Sequence, residues 1–350
     1  MRFKSGKQVG RQEVMEEDKK QGEEKPLRVL DLFAGCGGMS LGMTQAGLQV
    51  VAGMDIWPVA MESYQRNHPH LAVCADIRTM TPDQLEARYG IRRGDVDVIV
   101  GGPPCQSFSM AGQRKKDDPR NTLFMEYVRY LEYYQPRAFL MENVMGILSK
   151  TTETGEKVMD IILRELVRVG YHCRVHKLWA SDFEVPQNRR RVIVAGIRRD
   201  LGLGPPEIPL VIPTVAQRLP VGPLLLPRSA VGAEFFLSPR ALEGIRRKRE
   251  KSREKGRGFN AQILDVGKPS YTILSRYWKD GYDALVRYSD TEIRRLTVLE
   301  LKRIQSFPDD YDLAGGKKDV VIQIGNAVPC RLAYHLGRWL RGVLAGDAGR

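Results

Sequence analysis

The sequence predicts an α/β protein built on a doubly wound sheet, with a second, smaller module. Three observations carry this. Leu27-Arg28-Val29-Leu30-Asp31-Leu32-Phe33 reads as a buried strand that runs into the glycine turn Ala34-Gly35-Cys36-Gly37-Gly38 and a helix from about Met39. That is the opening unit of such a sheet, where a cofactor lies against the helix N-terminus. A second strand, Gln49 to Met54, ends in Asp55, 20 residues after Gly35, and an acid at that tip commonly holds ribose hydroxyls. A further apolar run, Val96 to Val100, is stopped by Gly101-Gly102-Pro103-Pro104. Each proline fixes φ and removes a donor, so a stiff turn displays Cys105 at a strand's end.

Taken in order, residues 1 to about 25 mix acids and bases with almost no apolar content and read as a disordered leader. A third strand is expected to end at Asp76-Ile77. Met110 to Arg120 is polar and basic, which suits either a loop that closes over a substrate or a solvated surface loop. Asn121 to Tyr134 has helical periodicity and stops before Pro136. Ala138 to Met141 reads as a strand delivering Glu142 and Asn143, a candidate acid or a surface carboxylate.

A helix near Lys157 to Val169 and a strand near Tyr171 to Ala180 lead into Gln187-Asn188-Arg189-Arg190-Arg191 and the strand Val192 to Ile197. Guanidinium forks suit phosphate or a base carbonyl, although three arginines also fit a solvated edge. The proline-rich stretch from Leu203 to Leu226 reads as a linker. Residues 238–257 carry nine Lys/Arg against three Glu, a charge run that suits phosphate contact. Ser270 to Tyr288 interleaves aromatic and basic residues in short strand-like pieces. Leu296 to Phe307 is helical, and Gln323 to Pro329 precedes an amphipathic helix through Leu340.

Composition bounds the function classes. A net charge of +13 points to a polyanionic partner. The five cysteines lie far apart without a Cys-x-x-Cys pair, which argues against a zinc site or a disulfide framework and for a cytoplasmic protein. No apolar run approaches a membrane span or a signal peptide.

The blocks Asp31-Leu32-Phe33-Ala34-Gly35-Cys36-Gly37-Gly38, Gly102-Pro103-Pro104-Cys105-Gln106, Glu142-Asn143-Val144, Gln187 to Arg191 and Gly325-Asn326-Ala327-Val328 follow one another in the chain. Together they resemble the DNA (cytosine-5)-methyltransferases, from Leu27 to Leu340. The resemblance implies a Rossmann-like methyltransferase sheet and a small, mostly β target-recognition domain. It divides the chain into a leader (1–25), a catalytic domain (26–201), a target-recognition domain (202–318) and a returning C-terminal segment (319–350).

It further implies S-adenosylmethionine as methyl donor, S-adenosylhomocysteine as product and no metal. Cys105 would add to carbon 6 of cytosine, Glu142 would protonate the ring, Asn143 would support its strand end, and Arg189 and Arg191 would orient the base. Phe33, Gly35, Gly37, Asp55, Ile56, Asp76, Ile77, Pro103 and Asn326 would hold the cofactor. The partner would be double-stranded DNA, with the cytosine flipped out. Ser109, Gln113, Arg114, Arg246, Arg247 and Lys248 would meet the DNA, with Thr272, Arg276 and Lys279 nearer the bases. A monomer associated with the nucleoid is expected, and a separate cognate restriction endonuclease is left open. Ala327 and Ile56 depart from residues common in the family, a serine and an adenine-stacking aromatic. Three other readings compete: a nicotinamide dehydrogenase, the family's tRNA-methylating branch, and a DNA-binding relic without activity.

Overall fold

Period-two alternation of apolar side chains dictates the sheet, because successive residues of a strand face opposite sides. Leu30 and Leu32, Ile99, Phe139 and Met141, and Val192 and Val194 pack on one face. Val29, Val98 and Val100, Ala138 and Leu140, and Ile193 and Ala195 pack on the other. A strand buried on both faces needs helices on both, which is how a doubly wound fold is assembled. The computed structural model describes residues 25–104, 123–152, 154–209, 218–254 and 261–346.

In chain order the elements are β1 (Arg28–Leu32), α1 (Gly38–Gln45), β2 (Gln49–Asp55), α2 (Pro58–Asn67), β3 (Leu71–Cys74), α3 (Pro82–Tyr89) and β4 (Val98–Gly101). Then follow α4 (Leu123–Tyr134), β5 (Ala138–Val144), α5 (Val158–Arg168), β6 (Tyr171–Trp179) and β7 (Arg190–Arg198). Beyond the proline-rich stretch come α6 (Pro239–Glu254), α7 (Tyr277–Asp280), β8 (Leu285–Arg287), β9 (Ile293–Arg295), α8 (Val298–Ile304), α9 (Lys317–Asn326) and α10 (Cys330–Leu344).

The seven-stranded sheet has the order β3-β2-β1-β4-β5-β7-β6. β7 is antiparallel to both β5 and β6, whereas β3, β2, β1, β4 and β5 pair in parallel. Strand order reverses direction at β1 and β4, and ligands of such sheets bind outside the carboxyl ends of strands at that point. Helices α4 and α5 cover one face; α1 and the C-terminal α10 cover the other. The last two can approach closely because a Cβ on Gly42 would come within 2.4 Å of the Ala333 Cβ. The chain's end is thereby welded to its first helix.

The second module has its own apolar cluster, in which Ile273, Tyr277, Val286 and Leu296 pack with Leu301 and Ile304 of α8 and Val320, Val321 and Ile324 of α9. Its interior holds an ion pair with both side chains fully buried, Arg294 to Glu300, where each oxygen of Glu300 lies 2.8 Å from a guanidinium nitrogen. Glu300 also accepts from the backbone of Thr297 at 2.7 Å and of Leu226 at 2.8 Å, closing the N-terminus of α8 as a capping box.

Several sequence expectations shift. The third strand stops at Cys74, short of Asp76-Ile77, because Asp76 turns the chain: its carboxylate accepts from the Arg78 backbone at 2.9 Å and its carbonyl from Met80 at 2.8 Å. β5 runs through Glu142 and Asn143 to Val144, since β7 pairs with it to the last residue. Residues 270–276 form no strand; hydrogen bonds to Pro186, Gln187 and Asn188 satisfy that backbone in place of a sheet partner. Among the described residues, the helices α6, α7 and α8 outweigh the three-residue strands β8 and β9 in the second module, so it is less β-rich than expected. Gln323 to Asn326, ahead of the amphipathic helix, forms the last turn of α9.

Candidate active site

A cavity of about 790 Å³ opens at the carboxyl ends of β1, β2, β4 and β5. Its floor is the turn after β1. Phe33, which lines it, is held at φ 61° and Gly35 at φ 54°. A bulky residue in the left-handed region is strained, and such strain collects where a backbone must present itself to a ligand. Asp55 holds the turn in place. Its carboxylate accepts from the Gly35 amide and from the Trp57 amide, each at 2.9 Å, while Ile56 stands 59 % exposed on the cavity wall.

Behind that floor lies a polar chain that the sequence reading missed. Asp31, 1 % exposed, accepts from the Ser40 hydroxyl at 2.6 Å; Ser40 contacts the Tyr64 hydroxyl at 2.8 Å, and Tyr64 contacts Nε2 of His70 at 2.7 Å. The other oxygen of Asp31 is buried with no partner among the described residues, and Asp31 lines the cavity. Burial pushes its carboxyl up to about 7. An unsatisfied buried carboxylate oxygen beside a cavity calls for a cation or a donor in it. The signal in the sequence was a lone acid within an apolar strand.

The opposite wall is made by β4 and β5. Asn143 donates its amide to the Pro103 carbonyl at 3.0 Å and accepts from the Val144 amide at 2.9 Å, so it supports the Pro-Pro turn as well as its own strand end. Glu142 reaches across to Arg191, whose Nε lies 2.5 Å from Oε1, with both side chains largely sheltered. A Cβ at residue 102 would lie 3.2 Å from Oε2 of Glu142, tighter than ordinary contact, so the glycine there leaves the carboxylate its room. Asn326, exposed at the end of α9, completes the lining with Ala327.

Not every expected residue is in place. Arg189 faces away from the cavity: it is 2 % exposed and donates to the carbonyls of Ile273 at 3.0 Å and Gly325 at 2.9 Å. Burial opposes its charge, and the two carbonyls replace the lost water. It staples the sheet to the second module. Asp76 and Ile77 are outside the cavity lining. The first is paired with Arg78 at 2.5 Å, which holds its carboxyl below the usual range; the second is packed in the core. Gly37 is also outside the lining, because its Cα faces His68, where a Cβ would meet Nε2 at 2.2 Å.

Cys105, Ser109, Gln113 and Arg114 lie outside the described residues. Arg246, Arg247 and Lys248 are exposed on α6, as are Arg276 and Lys279 at α7. Thr272 uses its hydroxyl to donate to the Asn188 carbonyl at 2.9 Å. No helix among the described residues is long and apolar enough to cross a membrane, and no cluster there could hold a metal ion.

A family model described as C-5 cytosine-specific DNA methylase matches residues 27–221 and 233–341. The chain is 36 % identical to the Type II methyltransferase M1.HphI of Haemophilus parahaemolyticus over 324 residues, 88 % of this chain and 84 % of that one. It is 30 % identical to M.NlaX of Neisseria lactamica over 329 residues, 93 % of this chain and 99 % of that one. Identity to M.DdeI of Desulfomicrobium norvegicum reaches 44 % over 177 residues, 50 % of this chain and 41 % of that longer relative. In fold the chain is similar to the S. pombe Dnmt2 methyltransferase, with a TM-score of 0.70 at 21 % identity over 91 % of this chain and 99 % of that one.

Proposed function

The chain belongs to the C-5 cytosine-specific DNA methylases, and we propose that it methylates carbon 5 of a cytosine flipped out of a specific double-stranded DNA sequence, through a covalent adduct at Cys105. The observation that carries this reading is the Glu142–Arg191 contact on the cavity wall, beside the Gly102-Pro103-Pro104 turn that leads into Cys105. A dehydrogenase has no use for that arrangement.

S-adenosylmethionine fits the cavity's donor set. Asp55 at the tip of β2 suits ribose hydroxyls, Ile56 and Trp57 offer an apolar wall, and the orphan oxygen of Asp31 suits a positive charge. Phe33 and Asn326 also line it. When bound, the cofactor supplies an electrophilic methyl group.

The chain's own residues do the rest. Carbon 5 of cytosine is a poor nucleophile until a thiolate adds at carbon 6 and makes the ring enamine-like. The Cys105 sulfur forms that bond, and the displaced ring electrons run toward nitrogen 3, where Glu142 delivers a proton. Arg191 holds the Glu142 carboxyl at the wall, and Asn143 fixes the turn that carries the cysteine. Once carbon 5 is methylated, loss of its proton to water, departure of the thiolate and return of the nitrogen 3 proton to the Glu142 carboxylate restore the aromatic ring. A ring stacked in a duplex cannot meet these groups, so the nucleotide leaves the stack. The basic face of α6 meets the phosphates, and the residues around α7 read the neighbouring pairs. The protein acts in the cytoplasm, as a monomer on nucleoid DNA.

Bisulfite sequencing of plasmid from expressing cells maps the target. A duplex with 5-fluorocytosine at that target should then trap the wild-type protein in a denaturation-resistant adduct, and the Cys105→Ala variant should form none. The absence of an adduct on DNA that the protein methylates overturns the covalent mechanism.

A further inference from the structure

Arg190, Trp179 and Arg218 meet at the same edge of the sheet as the cavity, in a place the methylation chemistry leaves unused. The guanidinium carbon of Arg190 lies 4.8 Å from the centre of the Trp179 ring, and that of Arg218 lies 5.4 Å from it. Trp179 is nonetheless 37 % exposed. The sheet register fixes where this group stands. Val144, which lines the cavity, pairs with Arg191; Arg191 pairs with Leu178; and Arg190 pairs with Trp179. The cluster is therefore one residue further out than the arginine that touches Glu142. With strands spaced about 4.8 Å apart, Trp179 stands roughly 10 Å from the end of β5.

The charges are poorly compensated. Arg218 is paired with Asp182 at 2.8 Å, but no carboxylate among the described residues lies within ion-pair distance of Arg190. A ring face under a guanidinium orients its plane and leaves its N–H edges pointing outward, where they match two oxygens of a phosphate. With two guanidinium groups already over the indole, a base cannot stack there without displacing one. The partner is then backbone, not base.

We propose that Arg190 and Arg218, set on Trp179, bind a backbone phosphate of the DNA beside the target cytosine. This rests on the reading of the adjacent cavity as the methylation site. Trp179 is a positioning residue in this arrangement, and the two arginines are the phosphate ligands.

Arg190→Gln, Arg218→Gln, the double variant, Trp179→Phe and Trp179→Ala are to be titrated with a target duplex by fluorescence anisotropy over a range of salt. The double variant should bind about tenfold or more weakly at fixed salt. Its plot of log affinity against log salt should be less steep by about one, for the one phosphate no longer neutralised. Trp179→Phe should keep most of the affinity, and Trp179→Ala should fall toward the arginine variants. Duplexes with a single methylphosphonate stepped past the target should include one position that weakens the wild type and leaves the double variant unaffected.

Wild-type affinity and slope in the double variant overturn the proposal. So does a loss of affinity that keeps full sensitivity to every methylphosphonate, or one that is matched by loss of cofactor affinity in calorimetry. Failure of the wild type to methylate any DNA would instead overturn the reading of the cavity, while the binding measurements still decide the phosphate site.

Discussion

Nε of Arg191 lies 2.5 Å from Oε1 of Glu142, across two strands that run in opposite directions. The antiparallel pairing makes the contact possible: Glu142 is two residues from the end of β5 and Arg191 is the second residue of β7, so both open onto one edge. Glu142→Gln should leave cofactor affinity unchanged and slow methylation by roughly 10²–10⁴-fold, the range for a lost general acid. Arg191→Met should slow it too. Because the two act as one unit, the double variant should be little worse than the poorer single one, as single-turnover rates on one duplex would show. Additive losses would separate the pair.

Asp31 should make cofactor binding depend on pH. Its carboxyl is raised by burial to about 7, so it is ionised only above that pH and can then offer a full charge to a cationic ligand. Affinity for S-adenosylmethionine, by calorimetry, should tighten as pH rises through about 7, and Asp31→Asn should abolish that dependence.

The same shift has a cost in stability. Protonation is easier in the folded chain than in the unfolded one, so the folded state binds the extra proton between about pH 4 and 7. Stability from this group is full below about 4 and is lost as pH rises to about 7. Denaturant midpoints should show the Asp31→Asn variant gaining on the wild type over that window and keeping a constant lead above it.

Arg189→Ala should unfold the link between the sheet and the second module. It leaves the carbonyls of Ile273 and Gly325 buried without their donor, at a cost of about 2–4 kcal/mol read from denaturant midpoints. Arg191→Ala, at the rim, should cost far less stability. The reverse order would return Arg189 to the base.

Within the second module, Arg294→Met should destabilise by about 3–5 kcal/mol, because it strands the Glu300 carboxylate with no counter-charge in the interior. Replacing both residues by apolar ones of similar volume should recover much of that loss. Thermal denaturation of the three variants checks it.

Neutralising Arg246, Arg247 and Lys248 should weaken binding to all duplexes alike and flatten the salt dependence, by up to about 0.9 for each phosphate no longer neutralised. Changing Arg276 or Lys279 should instead alter the methylated sequence. Methylation maps of the two sets of variants test the division, and an altered motif from the α6 changes alone would reverse it.

Most strands of the large sheet, the glycine turn, the acid at the tip of β2 and the strand that delivers Glu142 and Asn143 were legible in the chain itself. Each depends on a local rule: alternation on a pleated strand, left-handed backbone at a turn, or a proline that ends a ladder. What the tertiary structure decided is which polar side chains are dry and what they meet. Arg189 and Arg191 are two residues apart and look alike in sequence. One is sealed by Ile273 and Gly325, from distant parts of the chain, while the other faces Glu142. The sequence could not show that Asp31 would keep one oxygen unsatisfied beside a cavity. Nor could it bring Arg218 and Trp179 together. A polar group's role follows from the desolvation and partners that packing imposes, and those come from residues far along the chain.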